Sequence, residues 1–261
     1  MEYINCEKYA QEILDEVKAV PNKKKLTILT VGDNPASLSY VKGKIKDCEY
    51  CGIPYEHIKL PNTESSKAEL SFHITEANLD DTVGGIIVQL PLPKGFDESF
   101  YAESIIFHKD VDGFLPNSPY KPCTPEGIMY LLHKELGELT GKRALVIGRG
   151  NLVGKPIAQM LLDEDCTVTI AHSKTENLAK ELMDAEIVIS AVGKPNTVDL
   201  SWCWNAEIVV DVGVNRDANG KLVGDCYNFD DDNEDGIYPR VTPVPKGIGL
   251  MTRAMLMKHM I

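Results

Sequence analysis

Short apolar runs and longer amphipathic stretches alternate along the whole chain. The runs are rich in Val, Ile and Leu, as expected for buried strands, while the stretches between them repeat apolar residues with helical spacing. Strands that alternate with helices indicate parallel sheets with helices packed on both faces, an α/β protein. The predicted strands are 25–31, 55–60, 84–90, 143–148, 166–171, 186–192 and 207–213, and the clearest predicted helices are 36–51 and 64–79.

A proline-rich stretch at 115–127 divides this pattern into two α/β halves, and a Pro/Gly loop followed by one last helix ends the chain. A length of 261 residues suits two ordinary domains. We therefore expect two α/β domains with mainly parallel sheets.

Composition narrows the class of protein. The chain is 43% hydrophobic and 25% charged, as is usual for a globular protein, and no apolar run approaches the length of a membrane span. The N-terminus lacks the basic-then-apolar order of a secretion signal. Seven scattered cysteines, an odd number, suggest reduced thiols and a cytoplasmic location. A net charge of −12 argues against nucleic acid as a partner.

The stretch 144–161, ALVIGRGNLVGKPIAQML, places a glycine loop between a predicted strand and a predicted helix. Such a loop can bind an anion, because free N–H groups and the helix dipole point towards it. A triphosphate loop is excluded by the glycine spacing and by Pro156, which stands after Lys155 where Ser or Thr would bind magnesium. A dinucleotide loop fits with one extra residue before Gly154, and a plain tight turn is the alternative.

The next strand favours NADP over NAD. NAD sites place Asp or Glu near the end of that strand to bind the ribose 2′-hydroxyl, but here the strand ends in Ala171, His172, Ser173 and Lys174. A hydroxyl and a lysine, with Arg149 in the glycine loop, suit a 2′-phosphate; a solvated loop is the alternative. The predicted cofactor residues are Gly148, Arg149, Gly150, Val153, Gly154, His172, Ser173, Lys174, Ala191, Val192, Gly193, Gly213 and Val214.

The first half carries a different set of polar residues. Tyr40 and Lys44 stand four apart in a predicted helix and therefore share a face. Gln89 ends a buried strand, and Asp112 lies in the loop KDVDGF. They could converge on one cleft, although a Tyr/Lys pair of this kind is more often an exposed helix face.

Together these segments resemble the bifunctional methylenetetrahydrofolate dehydrogenase/methenyltetrahydrofolate cyclohydrolase family, the FolD type. The resemblance runs nearly end to end and is specific because the motifs occur in the family's order. They are VGDNPASLSYVKGK, GIIVQLPLP, KDVDGF, PCTPEGI, VIGRGNLVGKP, TVTIAHSKT, AEIVISAVGKP, VVDVGVN, LVGD and TPVPKGIGLMT.

The resemblance implies a folate-binding catalytic domain of residues 1–118 with 243–261, a Rossmann-like NADP-binding domain of residues 119–242, and an active-site cleft between them. It implies oxidation of 5,10-methylenetetrahydrofolate with NADP⁺ and hydrolysis of the methenyl product to 10-formyltetrahydrofolate. Lys44 is then the central catalytic residue, with Tyr40, Gln89 and Asp112 beside it, and the family is usually homodimeric. The implied substrate-binding residues are Tyr40, Lys44, Val88, Gln89, Leu90, Asp112, Pro245 and Gly249.

The chain departs from the family pattern at a few places. Gly150 stands where Ser is usual, Lys246 where Gly is usual and Leu250 where Pro is usual, and the segment 115–121 is short. These changes leave open a monofunctional dehydrogenase, or a non-catalytic module that binds NADP or folate. We expect no metal site: Cys48 and Cys51 lie in a predicted helix without a second pair, and the acidic run 230–235 lacks the pattern of a calcium loop.

Overall fold

The computed structural model describes residues 2–228 and 239–261, so the acidic run 230–235 lies outside the described residues. The helices are α1 (Cys6–Ala19), α2 (Pro35–Cys51), α3 (Ser65–Leu79), α4 (Glu98–Glu103), α5 (Cys123–Leu136), α6 (Gly154–Asp163), α7 (Leu178–Asp184) and α8 (Ile248–Lys258). The longer strands are β1 (Lys25–Val31), β2 (Tyr55–Leu60), β3 (Val83–Val88), β4 (Arg143–Ile147), β5 (Thr167–Ala171), β6 (Ile187–Ser190) and β8 (Ile208–Asp211). Two-residue strands are β7 (Val198–Asp199), β9 (Asn215–Arg216), β10 (Leu222–Val223), β11 (Cys226–Tyr227) and β12 (Arg240–Val241).

The chain forms two compact units. The N-terminal unit comprises residues 11–123 and 253–261, and the C-terminal unit comprises 124–252 with the described residues up to Ala10. These units differ from the expected domain limits mainly at the first ten residues and at 243–252. The expected limits stay a prediction.

The N-terminal unit contains a three-stranded parallel sheet in the order β2-β1-β3. The central strand β1 is the most enclosed, with Leu26, Ile28 and Leu29 fully buried. Helix α3 packs on one face through Leu70, Ile74 and Ala77, in a cluster with strand residues. Because the strands are parallel, the carboxyl ends of β1, β2 and β3 all lie at the same end of the sheet.

The C-terminal unit contains a five-stranded parallel sheet in the order β12-β8-β6-β4-β5. The chain runs outward from β4 to β5, returns past β4 to form β6, and continues to β8 and β12. The strand order therefore reverses between β4 and β6. In sheets of this type, the crevice outside the carboxyl ends at that reversal is where a dinucleotide binds.

The predicted strands and helices are confirmed. β1 and β2 have the predicted limits, and the other five longer strands are one to three residues shorter than predicted. Predicted strand 186–192, for example, ends at Ser190. Its last two residues form a loop, because the N–H groups from Val192 onward bond to a side chain instead of a neighbouring strand. The two-residue strands were not predicted, since runs that short carry no periodicity.

Candidate active site

Tyr40 and Lys44 lie on helix α2. Asn34 caps the helix, its side chain accepting hydrogen bonds from the N–H groups of Ala36 and Ser37, and Pro35 suits the first turn. The helix begins four residues after β1, so Tyr40 and Lys44 occupy its second and third turns. The helical spacing puts both side chains on one face.

Lys44 is unusual for a lysine because only 5% of it is exposed. Within residues 2–228 and 239–261, its ammonium has no hydrogen-bond or ion-pair partner. A buried lysine without a partner is costly, which makes it a candidate functional group. Tyr40 beside it is half-buried.

Gln89 comes directly after β3, at the carboxyl end of the three-stranded sheet. Its backbone N–H donates to the carbonyl of Leu29 on β1 at 2.8 Å, and its side-chain Nε2 donates to the carbonyl of Leu90 at 2.7 Å. Its Oε1 is enclosed and accepts no hydrogen bond from the described residues. Val88 before it packs in the core with α3, and Leu90 after it is half-buried and packs against the same cluster.

The three charged residues of the loop KDVDGF differ in their hydrogen bonds. Buried Lys109 donates to the carbonyls of Ala77, Asn78 and Asp80 at 2.8–2.9 Å and so closes the end of α3; burial lowers its pKa. Buried Asp110 accepts the N–H of Leu115 at 2.8 Å. The half-buried Asp112 carboxylate accepts no hydrogen bond from the part of the chain that the structure describes. Of the two aspartates, Asp112 is thus the one available to a ligand.

The glycine loop after β4 leaves a row of backbone donors open. Gly148 has φ +113°, and a side chain there would collide with the carbonyl of Ala191; a side chain at Gly154 would collide with the carbonyl of Gly148. Among the described residues, no acceptor takes the N–H groups of residues 149–154. Consecutive free N–H groups at a helix N-terminus form an anion site.

The loop after β5 lies beside this site, because β4 and β5 are neighbours and Ile147 pairs with Ala171. The His172 N–H donates to Thr175 Oγ1 at 2.9 Å, and the Lys174 N–H donates to His172 Nδ1 at 3.2 Å. These bonds fold the loop into a turn that leaves Ser173 and Lys174 exposed, as Arg149 is. Two cations, Arg149 and Lys174, and the hydroxyl of Ser173 therefore lie beyond the carboxyl ends of the neighbouring strands β4 and β5.

The loop after β6 is anchored by a residue that the sequence patterns did not single out. The Asp225 carboxylate accepts the N–H groups of Val192, Gly193 and Lys194 at 2.9–3.1 Å. Val192 and Val214 are exposed. The only sequence signal for Asp225 is its place in LVGD, which the resemblance quoted without giving this residue a role.

A second buried aspartate, Asp211 at the end of β8, holds the neighbouring loop. It accepts the N–H groups of Gly213, Asp225 and Cys226, each at 2.9 Å. Burial raises its pKa. Ala191 is half-buried beside the glycine loop.

The terminal loop lies in the C-terminal unit. Pro245 is exposed and Gly249 is half-buried in the first turn of α8. Lys246 has φ +77°, and its ammonium pairs with Glu7 at 3.1 Å, with both side chains largely exposed. The predicted folate residues are thus split, with Tyr40, Lys44, Val88, Gln89, Leu90 and Asp112 in the N-terminal unit and Pro245 and Gly249 in the C-terminal unit.

The seven cysteines, all among the described residues, are buried and form no disulfide. Burial raises the pKa of Cys48 to about 12 and that of Cys51 to about 11. In residues 2–228 and 239–261, no group of three or more His, Cys, Asp or Glu side chains is placed to hold a metal ion. Over the same residues, no helix combines the length and the apolar character needed to cross a bilayer.

The fold and the site define a two-domain α/β enzyme with a Rossmann-like dinucleotide domain. The family profile "Tetrahydrofolate dehydrogenase/cyclohydrolase, catalytic domain" matches residues 4–112, and "Tetrahydrofolate dehydrogenase/cyclohydrolase, NAD(P)-binding domain" matches residues 122–261. The chain belongs to the tetrahydrofolate dehydrogenase/cyclohydrolase family. This confirms the predicted family, the α/β class, and the combined oxidoreductase and hydrolase chemistry of folate one-carbon metabolism.

Individual relatives and solved structures are similar to this chain over nearly its whole length. The "Bifunctional protein FolD" of Anaeromyxobacter dehalogenans is 44% identical over 96% of this chain and 92% of its own length, and that of Oceanobacillus iheyensis is 44% identical over 95% and 89%. Among solved structures, the bifunctional enzyme FolD from Campylobacter jejuni has a TM-score of 0.88 at 39% identity, covering 98% of this chain and 95% of that one. The Trypanosoma brucei FolD complexed with NADP cofactor and inhibitor has a TM-score of 0.87 at 31% identity, covering 99% and 95%.

Proposed function

We propose that this enzyme oxidises 5,10-methylenetetrahydrofolate to the 5,10-methenyl form with NADP⁺ and then hydrolyses that product to 10-formyltetrahydrofolate. The carrying observation is Lys44, a buried lysine whose ammonium is unpaired among the described residues. A residue kept buried at such a cost is best explained by a ligand or reaction that uses it. The two relatives named above are both bifunctional by name.

Lys44 is proposed to move the proton in the hydrolytic step. Water adds to the methenyl carbon, gives up a proton and opens the bridge, so a group near the bridge must accept and return a proton. Tyr40 is proposed to orient Lys44 and the folate from one turn earlier on α2. The hydride step needs alignment more than acid or base chemistry.

Gln89 and Asp112 are proposed to bind the pterin. Asp112 has both carboxylate oxygens free of described donors and can accept the pterin's amino and ring N–H groups. Gln89 has a free Oε1 as well, so both residues offer acceptors. Val88 has its side chain in the core, so any contact it makes uses its backbone, and Leu90, Pro245 and Gly249 are proposed to add apolar and backbone contacts.

NADP is proposed as the cofactor. When bound, NADP⁺ accepts the hydride from the folate's methylene bridge. The open N–H groups of residues 149–154 suit its pyrophosphate, and the exposed Arg149, Ser173 and Lys174 suit its 2′-phosphate. The remaining predicted cofactor residues, Gly148, Gly150, Val153, Gly154, His172, Ala191, Val192, Gly193, Gly213 and Val214, are proposed to shape the surface around it.

A homodimer is also proposed, formed along β5. This strand is at the sheet edge and leaves its outer backbone groups unpaired by other named strands. Ile170 on β5 and Leu162 nearby are 44% and 50% exposed. Exposed edges with apolar side chains favour pairing with another copy. Light scattering on the parent and on Ile170→Lys tests this: the parent should be a dimer and the variant a monomer.

The cytoplasm is proposed as the location, because the cysteines are not joined in disulfides, as is usual in reducing compartments. Cell fractionation would check it.

One assay tests the function. Purified enzyme receives 5,10-methylenetetrahydrofolate and NADP⁺, and the folate products are followed together with NADPH. Formyl product supports both steps, and methenyl product that accumulates beyond its spontaneous hydrolysis means a monofunctional dehydrogenase. Tight binding without turnover means a non-catalytic module and overturns the proposal.

A further inference from the structure

Asp225 is fully buried, yet its carboxylate accepts five hydrogen bonds. Oδ2 accepts from Ser190 Oγ and from the N–H groups of Val192 and Gly193, at 2.9, 3.0 and 3.1 Å. Oδ1 accepts from the N–H of Lys194 and from Asn215 Nδ2, both at 2.9 Å. Three of the five donors are consecutive backbone N–H groups of one loop.

That loop, residues 191–194, follows β6, the strand on one side of the reversal in strand order. Its backbone is tied to the buried carboxylate, while Val192, Gly193 and Lys194 are exposed. The carbonyl of Ala191 also lies against Gly148, where a side chain would collide with it. Asp225 is thus linked through loop 191–194 to the loop that offers its N–H groups to a phosphate.

The space around Asp225 admits little change. A side chain at Gly213 would collide with its carboxylate, and its own N–H donates to Asp211 Oδ1 at 2.9 Å. Asn215 also donates to the carbonyl of Gly224 at 3.1 Å. Loops 191–194 and 213–215 therefore share one buried anchor.

We infer that Asp225 is a positioning residue for hydride transfer: it holds loop 191–194 in place before the cofactor arrives, so that the nicotinamide meets a preformed surface. The inference rests on the proposed function. A preformed surface lowers the ordering cost of binding and fixes the donor–acceptor alignment. It also means that the N–H groups of residues 192–194 bind Asp225 and not the cofactor.

Hydrogen exchange on the unmodified enzyme is the first test. The amides of Val192, Gly193 and Lys194 should be protected without cofactor and change little when NADP⁺ is added. Rapid exchange that becomes slow only with NADP⁺ would show that the loop is not preformed and would overturn the inference.

Asp225→Asn is the second test. In the variant, an NH₂ group replaces one of the two carboxylate oxygens, and its hydrogens face donors that bond to that oxygen in the parent. Loop 191–194 should therefore lose its position, and kcat/KM for NADP⁺ should fall at least tenfold. Methenyl hydrolysis, assayed without cofactor, should stay within about twofold. Leu182→Ala is the matched control, because Leu182 is fully buried in the core of the same unit and does not contact the loop bonds described above. It should lower the melting temperature without changing the ratio of the two activities.

The outcomes separate the inference from the proposed function. If the parent enzyme shows no dehydrogenase turnover, the proposed function fails. If the parent turns over and Asp225→Asn keeps its kcat/KM, or loses both activities in the proportion seen for Leu182→Ala, the inference fails. If Asp225→Asn does not fold, Ser190→Ala removes one of the five bonds and should shift the activity ratio in the same direction; an unchanged ratio would overturn the inference.

Discussion

The guanidinium of Arg253 lies against Gly43, and any side chain at position 43 would collide with it. Its Nε is 3.1 Å from Oδ2 of Asp47, a residue that is 6% exposed. Gly43 immediately precedes Lys44, and Asp47 follows it by three residues. The last helix therefore holds a cation against the part of α2 that carries Lys44.

Replacing Arg253 with Met should destabilise the enzyme. The substitution keeps an apolar stem but leaves the buried Asp47 without its counter-ion, which costs about 1–3 kcal/mol at neutral pH. Urea denaturation at pH 7.5 measures the loss. Lys258→Met on the same helix is the control, because its pair with Glu16 is long and exposed, and such pairs contribute about 0–1 kcal/mol.

The loss should depend on pH. Burial raises the pKa of Asp47, and the charges of Arg253 and Lys46 oppose that rise. A carboxyl whose pKa is raised on folding costs stability when ionised, and this cost vanishes below its ordinary pKa. The deficit of Arg253→Met should therefore shrink as the pH falls from 7 towards 4. A deficit that is constant over this range, or an Asp47→Asn/Arg253→Met double variant no more stable than the single, would refute the ion-pair explanation.

Replacing Lys44 with Met should separate the two activities. Hydrolysis depends on one proton-handling group, so cyclohydrolase turnover should fall to background, a loss of at least about 10²-fold. Dehydrogenase turnover should fall less, because many contacts share the alignment of the bridge carbon. Tyr40→Phe, which loses only a hydroxyl, is the milder comparison. Methenyl hydrolysis and NADPH formation are measured on one preparation, and unchanged hydrolysis in Lys44→Met would refute the mechanism.

Replacing Asp112 with Asn should weaken folate binding in both half-reactions. The change puts a donor where the pterin also donates, at a cost of about 1–3 kcal/mol. Folate KM for each step and the Kd of NADP⁺ are the measurements, and the cofactor Kd should not change. Asp110→Asn is a contrast: that carboxylate bonds within its own loop, so the main effect should be on stability. Normal folate affinity in Asp112→Asn would remove this residue from the pocket.

Replacing Arg149 with Ala should weaken NADP⁺ binding by about 1.5–3 kcal/mol and leave NAD⁺ binding nearly unchanged. The reason is that only NADP carries the 2′-phosphate that a guanidinium can bind with two hydrogen bonds. Titration with both cofactors measures the difference. The control is Lys155→Ala, a nearby cation whose Nζ already donates to Asn151 of the glycine loop at 2.9 Å. Equal losses for the two cofactors in Arg149→Ala would show that it does not bind the 2′-phosphate.

Replacing Lys246 with Gly should give a more stable protein than replacing it with Ala. Lys246 has φ +77°, a conformation that costs a residue with a Cβ about 1 kcal/mol and costs glycine little. Both variants lose the exposed pair with Glu7, so their difference isolates the backbone effect. Thermal unfolding of the two variants is the measurement. An Ala variant at least as stable as the Gly variant would show that this loop relaxes.

Much of the fold was predictable from the order of residues alone. Apolar runs and helical spacing are local properties, so they placed the seven longer strands and helices such as α2 within a few residues. The glycine loop after β4 and the absence of a carboxylate after β5 could also be recognised in the sequence. The two positions are only about 25 residues apart, and each follows the carboxyl end of a strand. The motifs with Tyr40, Lys44, Gln89 and Asp112 were also visible in the sequence.

Tertiary structure alone decided which partners the buried charged residues contact. Asp225 accepts four of its five hydrogen bonds from residues 31 to 35 positions earlier, and Lys109 closes a helix that ended 30 residues before it. Nothing in KDVDGF distinguishes Asp110, which is bonded within its loop, from Asp112, whose carboxylate stays open to a ligand. Periodicity encodes which face of an element is buried, whereas the partner of a buried charge depends on which segments the sheet order brings together.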